Sequence, residues 1–352
     1  MKVLICSKSS IKKEAVYNIF SKRFPTQDIT IDSIDTIDCD ELKLPPQPVN
    51  CADFCAKARL DFGKLKSDRY DYYVSVENGL DDQHHFDNCS VLVEHRGIIT
   101  HGEDTVLIPN QYRSLLNDLG TKIKYPNNNN ITGYNITFGQ KLHENYGFDA
   151  KDWMKTTNKY GRVEMISKAL SGALDAMDKM LDKVDTVIQS YKEYQDFPKP
   201  GVVFQDIFAV LANPTSLQLL SKIMKSRYRY DSIDYVVGLE SRGFFGVLLA
   251  QKLKVGFVPI RKAGKLPGPT ESIEYGTEYS KDVCEIQTDI PKGSKVLIFD
   301  DLIATGGSLK ASVDLVLKLE CVIVDCCVLR EVKVLREVAK EKLNRSYTVL
   351  LN

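Results

Sequence analysis

The chain has 352 residues, with 47 basic and 47 acidic side chains, five histidines and an apolar fraction of 43%. That length suits two domains, and balanced charge argues against a nucleic-acid or membrane-surface partner recognised through net charge. No run approaches the roughly 20 apolar residues of a membrane span, and the apolar start, Val3 to Cys6, is too short for a signal peptide, so a soluble, cytoplasmic protein is expected.

Val3 to Cys6 reads as a strand, followed by Ser7-Lys8-Ser9-Ser10 and a helix from Ile11 to Phe20. A strand-loop-helix opening of this kind can bind phosphate through Lys8, Lys12 and the N–H groups of the first helical turn. Tyr72 to Val76 reads as a second buried strand, running into Glu77-Asn78-Gly79-Leu80-Asp81. His84 and His85 then fall at a turn, and Asn127 to Asn130 form a polar run expected to be an exposed loop. All five histidines, His84, His85, His95, His101 and His143, precede residue 150. An enzyme in the second half must therefore work without histidine acid–base chemistry. The nine cysteines include no CxxC pair and are expected to be reduced. Cys51 with Cys55, and Cys326 with Cys327, read as packing residues rather than metal ligands.

Apolar residues at Val163, Ile166, Leu170, Ala173, Met177, Met180, Val184 and Val187 repeat at helical spacing, with Gly172 expected to break the run into two helices. The domain expectation is an amino-terminal domain over 1–172, a helical linker over 173–184 and a carboxy-terminal domain over 185–352. Beyond the join, strands are expected at Tyr235 to Leu239, Gly256 to Ile260, Val296 to Phe299 and Val322 to Leu329. Helices are expected at Thr215 to Met224, Phe244 to Leu253 and Ser308 to Leu319. This alternation is that of an α/β protein with a doubly wound, mostly parallel sheet, whose ligands sit at the carboxyl ends of the strands.

Residues 296–308 carry the strongest chemical signal: an apolar strand, Asp300-Asp301, two apolar residues, then Ala304-Thr305-Gly306-Gly307-Ser308 at a helix start. The glycines let the backbone approach a ligand closely, and the helix N-terminus favours an anion, so a phosphate monoester fits the loop. The adjacent acids can accept hydrogen bonds from ribose hydroxyls and face a hydrated Mg²⁺. A second anion-binding turn, Gly238-Leu239-Glu240-Ser241-Arg242-Gly243, follows a strand and opens a helix. Arg261, Lys262 and Lys265 place three cations on a glycine- and proline-rich loop suited to close over a ligand. Such cations stabilise a departing pyrophosphate.

The stretch 296–308 resembles the phosphoribosyl-diphosphate (PRPP) signature of type I phosphoribosyltransferases, and about 185–352 resembles adenine phosphoribosyltransferase. Tyr194-Gln195-Asp196-Phe197-Pro198-Lys199-Pro200-Gly201-Val202-Val203-Phe204 is similar to the family segment that lines the adenine pocket. Gly238 to Gly243 matches its pyrophosphate loop, Arg261 to Pro269 its hood loop, and Tyr275, Glu278 and Tyr279 the stretch with its catalytic glutamate. The resemblance implies a type I phosphoribosyltransferase fold and the reaction of adenine with PRPP to AMP and pyrophosphate, in purine salvage. Asp300 and Asp301 would hold the ribose, and Ala304, Thr305, Gly306, Gly307 and Ser308 the 5′-phosphate. Glu240, Ser241, Arg242, Arg261, Lys262 and Lys265 would hold the pyrophosphate, Val203, Phe204 and Gln205 the adenine, and Glu278 would manage its proton. Mg²⁺ would arrive on PRPP with no direct protein ligand assigned, and a homodimer is implied. Gln205 stands where the family usually has a basic residue.

The order of the first half resembles the inosine/xanthosine triphosphatases, an α/β family acting on non-canonical purine nucleotides. Lys12 would take the triphosphate role and Glu77 the metal-assisting one, with Lys8 nearby. Ser9 replaces the family's usual asparagine, and Cys55-Ala56-Lys57-Ala58-Arg59 keeps only part of its helix segment. No arginine near Thr156 to Asn158 matches the family's substrate-binding one. A retained fold is favoured over an active hydrolase. The alternatives are a bifunctional protein that also hydrolyses aberrant purine triphosphates, and a non-catalytic PRPP-binding regulator.

Overall fold

The structure, a computed structural model, describes residues 1–36, 42, 44–124, 131–158, 160–197, 200–201, 203–240, 244–277 and 280–351. It divides into two compact units, Met1–His95 with Ile99–Lys179, and Arg96–Ile98 with Met180–Asn352. Among the described residues no helix is long and apolar enough to cross a membrane. The Asn127 to Asn130 loop lies outside the described residues.

The first unit runs β1 (Lys2–Ile5), α1 (Ser10–Arg23), β2 (Thr30–Ser33), β3 (Gln47–Pro48), α2 (Ala52–Lys66), β4 (Tyr72–Leu80), β5 (Phe86–His95) and β6 (Ile98–Leu107). It continues with β7 (Ile123–Lys124), β8 (Thr132–Tyr134), α3 (Phe138–Tyr146), α4 (Trp153–Asn158) and the long α5 (Arg162–Gln189). Its main sheet has the order β2-β1-β4-β5-β6, and a second has the order β3-β8-β7. The central strand β4 is buried along its whole length, polar residues included. Since β4 runs parallel to β1 and antiparallel to β5, this is a mixed α/β sheet. Helix α5 is unbroken, which corrects the expected interruption at Gly172. A Cβ there would meet nothing within 4 Å, and glycine's helix cost of about 1 kcal/mol is small beside the burial of Met165, Ile166, Ala169, Leu170, Ala173 and Met177.

The second unit opens with β9 (Lys192–Gln195) and β10 (Val203–Asp206), an antiparallel pair that forms a sheet of its own. Next come α6 (Phe208–Ala212), α7 (Pro214–Tyr228), β11 (Tyr235–Leu239), α8 (Phe244–Leu253), β12 (Gly256–Lys262), β13 (Thr270–Thr277) and β14 (Ser280–Gln287). The last elements are β15 (Lys295–Ile303), α9 (Gly307–Lys318), β16 (Val322–Glu331), α10 (Arg336–Leu343) and β17 (Thr348–Val349).

Seven strands form one sheet in the order β13-β14-β12-β11-β15-β16-β17. The run from β12 to β17 is parallel, and β14 and β13 extend it antiparallel. Val296, Leu297, Ile298 and Phe299 of β15 are fully buried, as an interior strand covered on both faces requires. Strand β15 also continues past the expected end at Phe299, so Asp300 and Asp301 belong to the sheet. Helix α9 buries Leu309, Ser312, Val313 and Val316, a stripe at three- and four-residue spacing.

Candidate active site

Three neighbouring parallel strands end at one edge. Gly238 of β11 lies opposite Phe299 of β15 and Pro259 of β12. Glu240 directly follows β11, and its N–H donates to the Ile260 carbonyl of β12 at 2.9 Å, so the Glu240–Arg261 ion pair lies at the same end of the parallel sheet as Asp300 and Asp301. At about 4.8 Å per strand, the acids of β15 and the cations of β12 are separated by roughly 10 Å, the span of a ribose carrying a diphosphate.

Asp300 and Asp301 are each 5% exposed, and the Asp301 N–H donates to the Asp300 carboxylate at 2.9 Å. The chain then leaves β15 and enters α9 through Gly306, whose φ of +81° is left-handed. A Cβ on Gly306 would sit 3.2 Å from the carbonyl oxygen of Ala339 on α10. Conformation and space both demand glycine there. At Gly307 the nearest atom to such a Cβ is the Lys342 ammonium, 3.5 Å away. Lys342, which the sequence reading did not single out, therefore adds a positive charge beside the loop of 304–308. Only its position in the fold reveals it, because Lys342 lies 35 residues downstream of Gly307. The loop ends in the N–H groups that begin α9, which face no helical partner and favour an anion.

Across the sheet, Arg261 ion-pairs with Glu240 and donates to the carbonyl of Lys265 at 2.9 Å. Its guanidinium holds the Glu240 carboxyl below the ordinary carboxylate range. Arg261 and Lys262 belong to β12 and pair with Glu285 and Cys284 of β14. This corrects the expectation that both lie on the loop; only Lys265 does. Ser241, Arg242, Glu278 and Tyr279 lie outside the described residues. Tyr275 of β13 packs against the buried cluster that includes Leu309 of α9, and burial pushes its pKa up.

Val203, Phe204 and Gln205 lie in β10, opposite Gln195, Tyr194 and Glu193 of β9. The Phe204 ring meets Phe197 edge to face at 5.0 Å. Gln205 donates to the Glu193 carboxylate at 2.8 Å, so its side chain serves the hairpin.

The first unit brings Lys12 and Glu77 together but leaves Lys8 outside. Lys8 pairs with Asp35 at 3.0 Å on the surface. Lys12 donates to the Val76 carbonyl at 2.6 Å and lies 3.8 Å from Glu77. Arg59 ion-pairs with Glu77 and donates to the Thr36 carbonyl and hydroxyl at 2.9 Å each. Burial works to raise the Glu77 carboxyl, but Arg59 and Lys12 outweigh it and hold it below its ordinary range. Burial likewise lowers the Lys12 ammonium, with Glu77 offsetting only part. Beside them Asp87 accepts from Asn78 at 3.1 Å and from Arg162 at 3.5 Å. Burial raises the Asp87 carboxyl against the pull of Arg162. Asp87 and Arg162 escaped the sequence reading, since neither carries a motif around it. No group of three or more histidines, cysteines or carboxylates among the described residues is arranged to hold a metal ion.

A parallel sheet whose strand ends carry paired acids, a phosphate-sized glycine loop and facing cations defines an α/β transferase of phosphorylated ribose. The family described as the phosphoribosyl transferase domain matches residues 207–347. Adenine phosphoribosyltransferase of Pelobacter propionicus is 42% identical over 173 residues, which cover 49% of this chain and 99% of the relative. That of Acaryochloris marina is 50% identical over 135 residues, 38% of this chain and 79% of the relative. The solved Saccharomyces cerevisiae adenine phosphoribosyltransferase, complexed with an imino-altritol bisphosphate and adenine, is 41% identical. It is matched over 49% of this chain and 99% of its own, with a TM-score of 0.46. Through its carboxy-terminal half, the chain belongs to the adenine phosphoribosyltransferase family.

Proposed function

We propose that the second unit transfers the phosphoribosyl group of PRPP to adenine, giving AMP and pyrophosphate in purine salvage. The observation that carries this reading is that the Asp300-Asp301 pair and the Glu240–Arg261 ion pair lie at the same end of the parallel sheet, with the glycine loop at 304–308 following β15. Asp300 and Asp301 accept hydrogen bonds from the ribose hydroxyls, and Ala304 to Ser308 bind the 5′-phosphate. Arg261, Lys262 and Lys265, with Glu240, Ser241 and Arg242, surround the pyrophosphate. The main chain of Val203 to Gln205 receives adenine, and Glu278 accepts its proton as the ring nitrogen attacks C1′.

Mg²⁺ fits this donor set as a rider on PRPP, because two buried carboxylates at the strand end can accept from its water ligands. It supplies neutralising charge to the departing pyrophosphate. The division of the chain near Lys179 supports a transferase domain over 185–352 joined by a helical segment to a separate domain over 1–172. We place the protein in the cytoplasm as a homodimer, on the resemblance to the family.

The test is AMP formation by the full-length protein from adenine, PRPP and Mg²⁺, with Asp300→Asn/Asp301→Asn as control. Product from the wild type alone supports the assignment. No product, with PRPP still bound, would turn the reading to a regulator.

A second reading concerns the first unit. The buried meeting of Lys12, Glu77 and Arg59 favours descent from a purine triphosphatase of the inosine/xanthosine type. The ion pairs engage the very groups that hydrolysis would need, so weak or lost hydrolysis is the expected state. Pyrophosphate release from inosine triphosphate, abolished in Glu77→Gln, would instead establish a bifunctional enzyme.

A further inference from the structure

The loop between β12 and β13 is held in shape by the Glu285 carboxylate. Glu285 of β14 stands opposite Arg261 and is 6% exposed. One of its oxygens accepts the N–H groups of Lys265 and Leu266, both at 2.8 Å. The Leu266 and Lys265 N–H groups hold its carboxyl below the ordinary range. Arg261 binds the other side of the same peptide unit, donating to the Lys265 carbonyl at 2.9 Å.

Further bonds continue along β14. Val283 accepts the Ala263 N–H at 2.9 Å, Gln287 donates to the Pro267 carbonyl at 3.0 Å, and the Thr288 N–H donates to the Pro269 carbonyl at 3.2 Å. Gly264 and Gly268, each at φ +78°, provide the two left-handed corners that let the loop bend back onto β14. Convergent backbone donors on one anionic oxygen form a strong arrangement, since charge-assisted bonds are worth about twice neutral ones. The turn is thus shaped before any substrate arrives, and ordering it on binding costs little.

We propose that Glu285 is a positioning residue for the transferase reaction. It fixes the 264–266 turn, and through that turn the placement of Lys265 against the pyrophosphate of PRPP. The proposal rests on the reading of Lys265 given above. A group acting this way governs PRPP and not adenine, so its loss divides the two Michaelis constants.

The experiment is steady-state AMP formation by full-length wild type, Glu285→Ala, Glu285→Gln, Lys265→Ala and the double variant Glu285→Ala/Lys265→Ala. Each is checked for folding by thermal melting. Glu285→Ala should raise KM for PRPP about tenfold or more, in keeping with the loss of charge-assisted bonds, with KM for adenine unchanged. Glu285→Gln, which keeps an acceptor oxygen, should recover part of the loss. The double variant should be no worse than Lys265→Ala, because Glu285 acts through it. Tryptic cleavage after Lys265 in the ligand-free protein should be faster in Glu285→Ala.

A loss in Lys265→Ala with none in Glu285→Ala overturns the role of Glu285 and leaves the Lys265 reading standing. Wild-type kinetics in both variants overturns the two together. Additive losses in the double variant, or equal rises in both Michaelis constants, also overturn the proposal. Where Glu285→Ala fails to fold, Glu285→Gln decides by the same division of constants.

Discussion

The Tyr275 side chain of β13 packs against the buried cluster that includes Leu309 in the first turn of α9. Through this packing the strand leading to Glu278 is referenced to the loop that we read as the 5′-phosphate site. Tyr275→Ala removes the packing. KM for PRPP should rise about three- to tenfold, a loss on the order of 1 kcal/mol, and a titration of KM at fixed adenine checks it. An unchanged value would separate β13 from the phosphate site.

Gly306 and Gly307 adjoin, yet they answer to different constraints. Gly306→Ala places a side chain at φ +81° and within 3.2 Å of the Ala339 carbonyl. It should lower the melting temperature and cost about 1–2 kcal/mol, as well as weakening PRPP. Gly307→Ala meets the end of the Lys342 side chain at 3.5 Å and the Thr305 hydroxyl at 4.0 Å, both ordinary contacts, and should leave melting unchanged while still weakening PRPP binding by crowding the phosphate. Melting curves and PRPP titrations on the two variants distinguish a backbone requirement from a ligand requirement.

Glu278→Ala should lower turnover by about 10² or more, the usual worth of a positioned acid–base group. Single-turnover measurements with saturating adenine and PRPP isolate that step from product release. Full activity in this variant would move the proton-accepting role elsewhere.

In the first unit, Glu77→Gln leaves Arg59 and Lys12 buried without a carboxylate, and should destabilise by about 3 kcal/mol or more at pH 7. The effect has a definite pH dependence. The folded Glu77 carboxyl titrates below its unfolded value near 4.5. Its contribution is therefore complete above that value and is lost as pH falls through the lower folded pKa. Thermal unfolding of wild type and variant should differ most near neutrality and converge in acid. A constant gap down to the lowest pH at which the fold survives would contradict the assignment.

Much of the second unit was legible from local signals. The buried run Val296 to Phe299, the Asp300-Asp301 pair and the glycine loop occupy consecutive positions, so one reading covers strand, acids and anion site. Arg261 and Lys262 misled because a glycine- and proline-rich stretch follows them; pairing with β14 carries the strand through both. Gly172 misled for a related reason, since a weak local preference yields to the burial of a long helical face.

The amino-terminal cluster was the harder case. Lys12 meets Val76 across 64 positions and Glu77 across 65, Arg59 meets Glu77 across 18, and Arg162 meets Asp87 across 75. The partners in each pair belong to different elements, so no spacing within a helix or strand brings them together. The sequence by itself determined β11, β12, β15 and β16, the phosphate-sized loop and the chemical character of the strand ends, because each depends on residues adjacent in the chain; β13, β14 and the unbroken α5 emerged only in the fold. Only the tertiary structure decided which charges meet: that Arg261 faces Glu240, that Glu285 holds the Lys265 turn and that Lys342 stands beside Gly307. Such meetings are set by sheet register and by the burial of apolar surface, and a charge placed there must find its partner in space because water is no longer available to it.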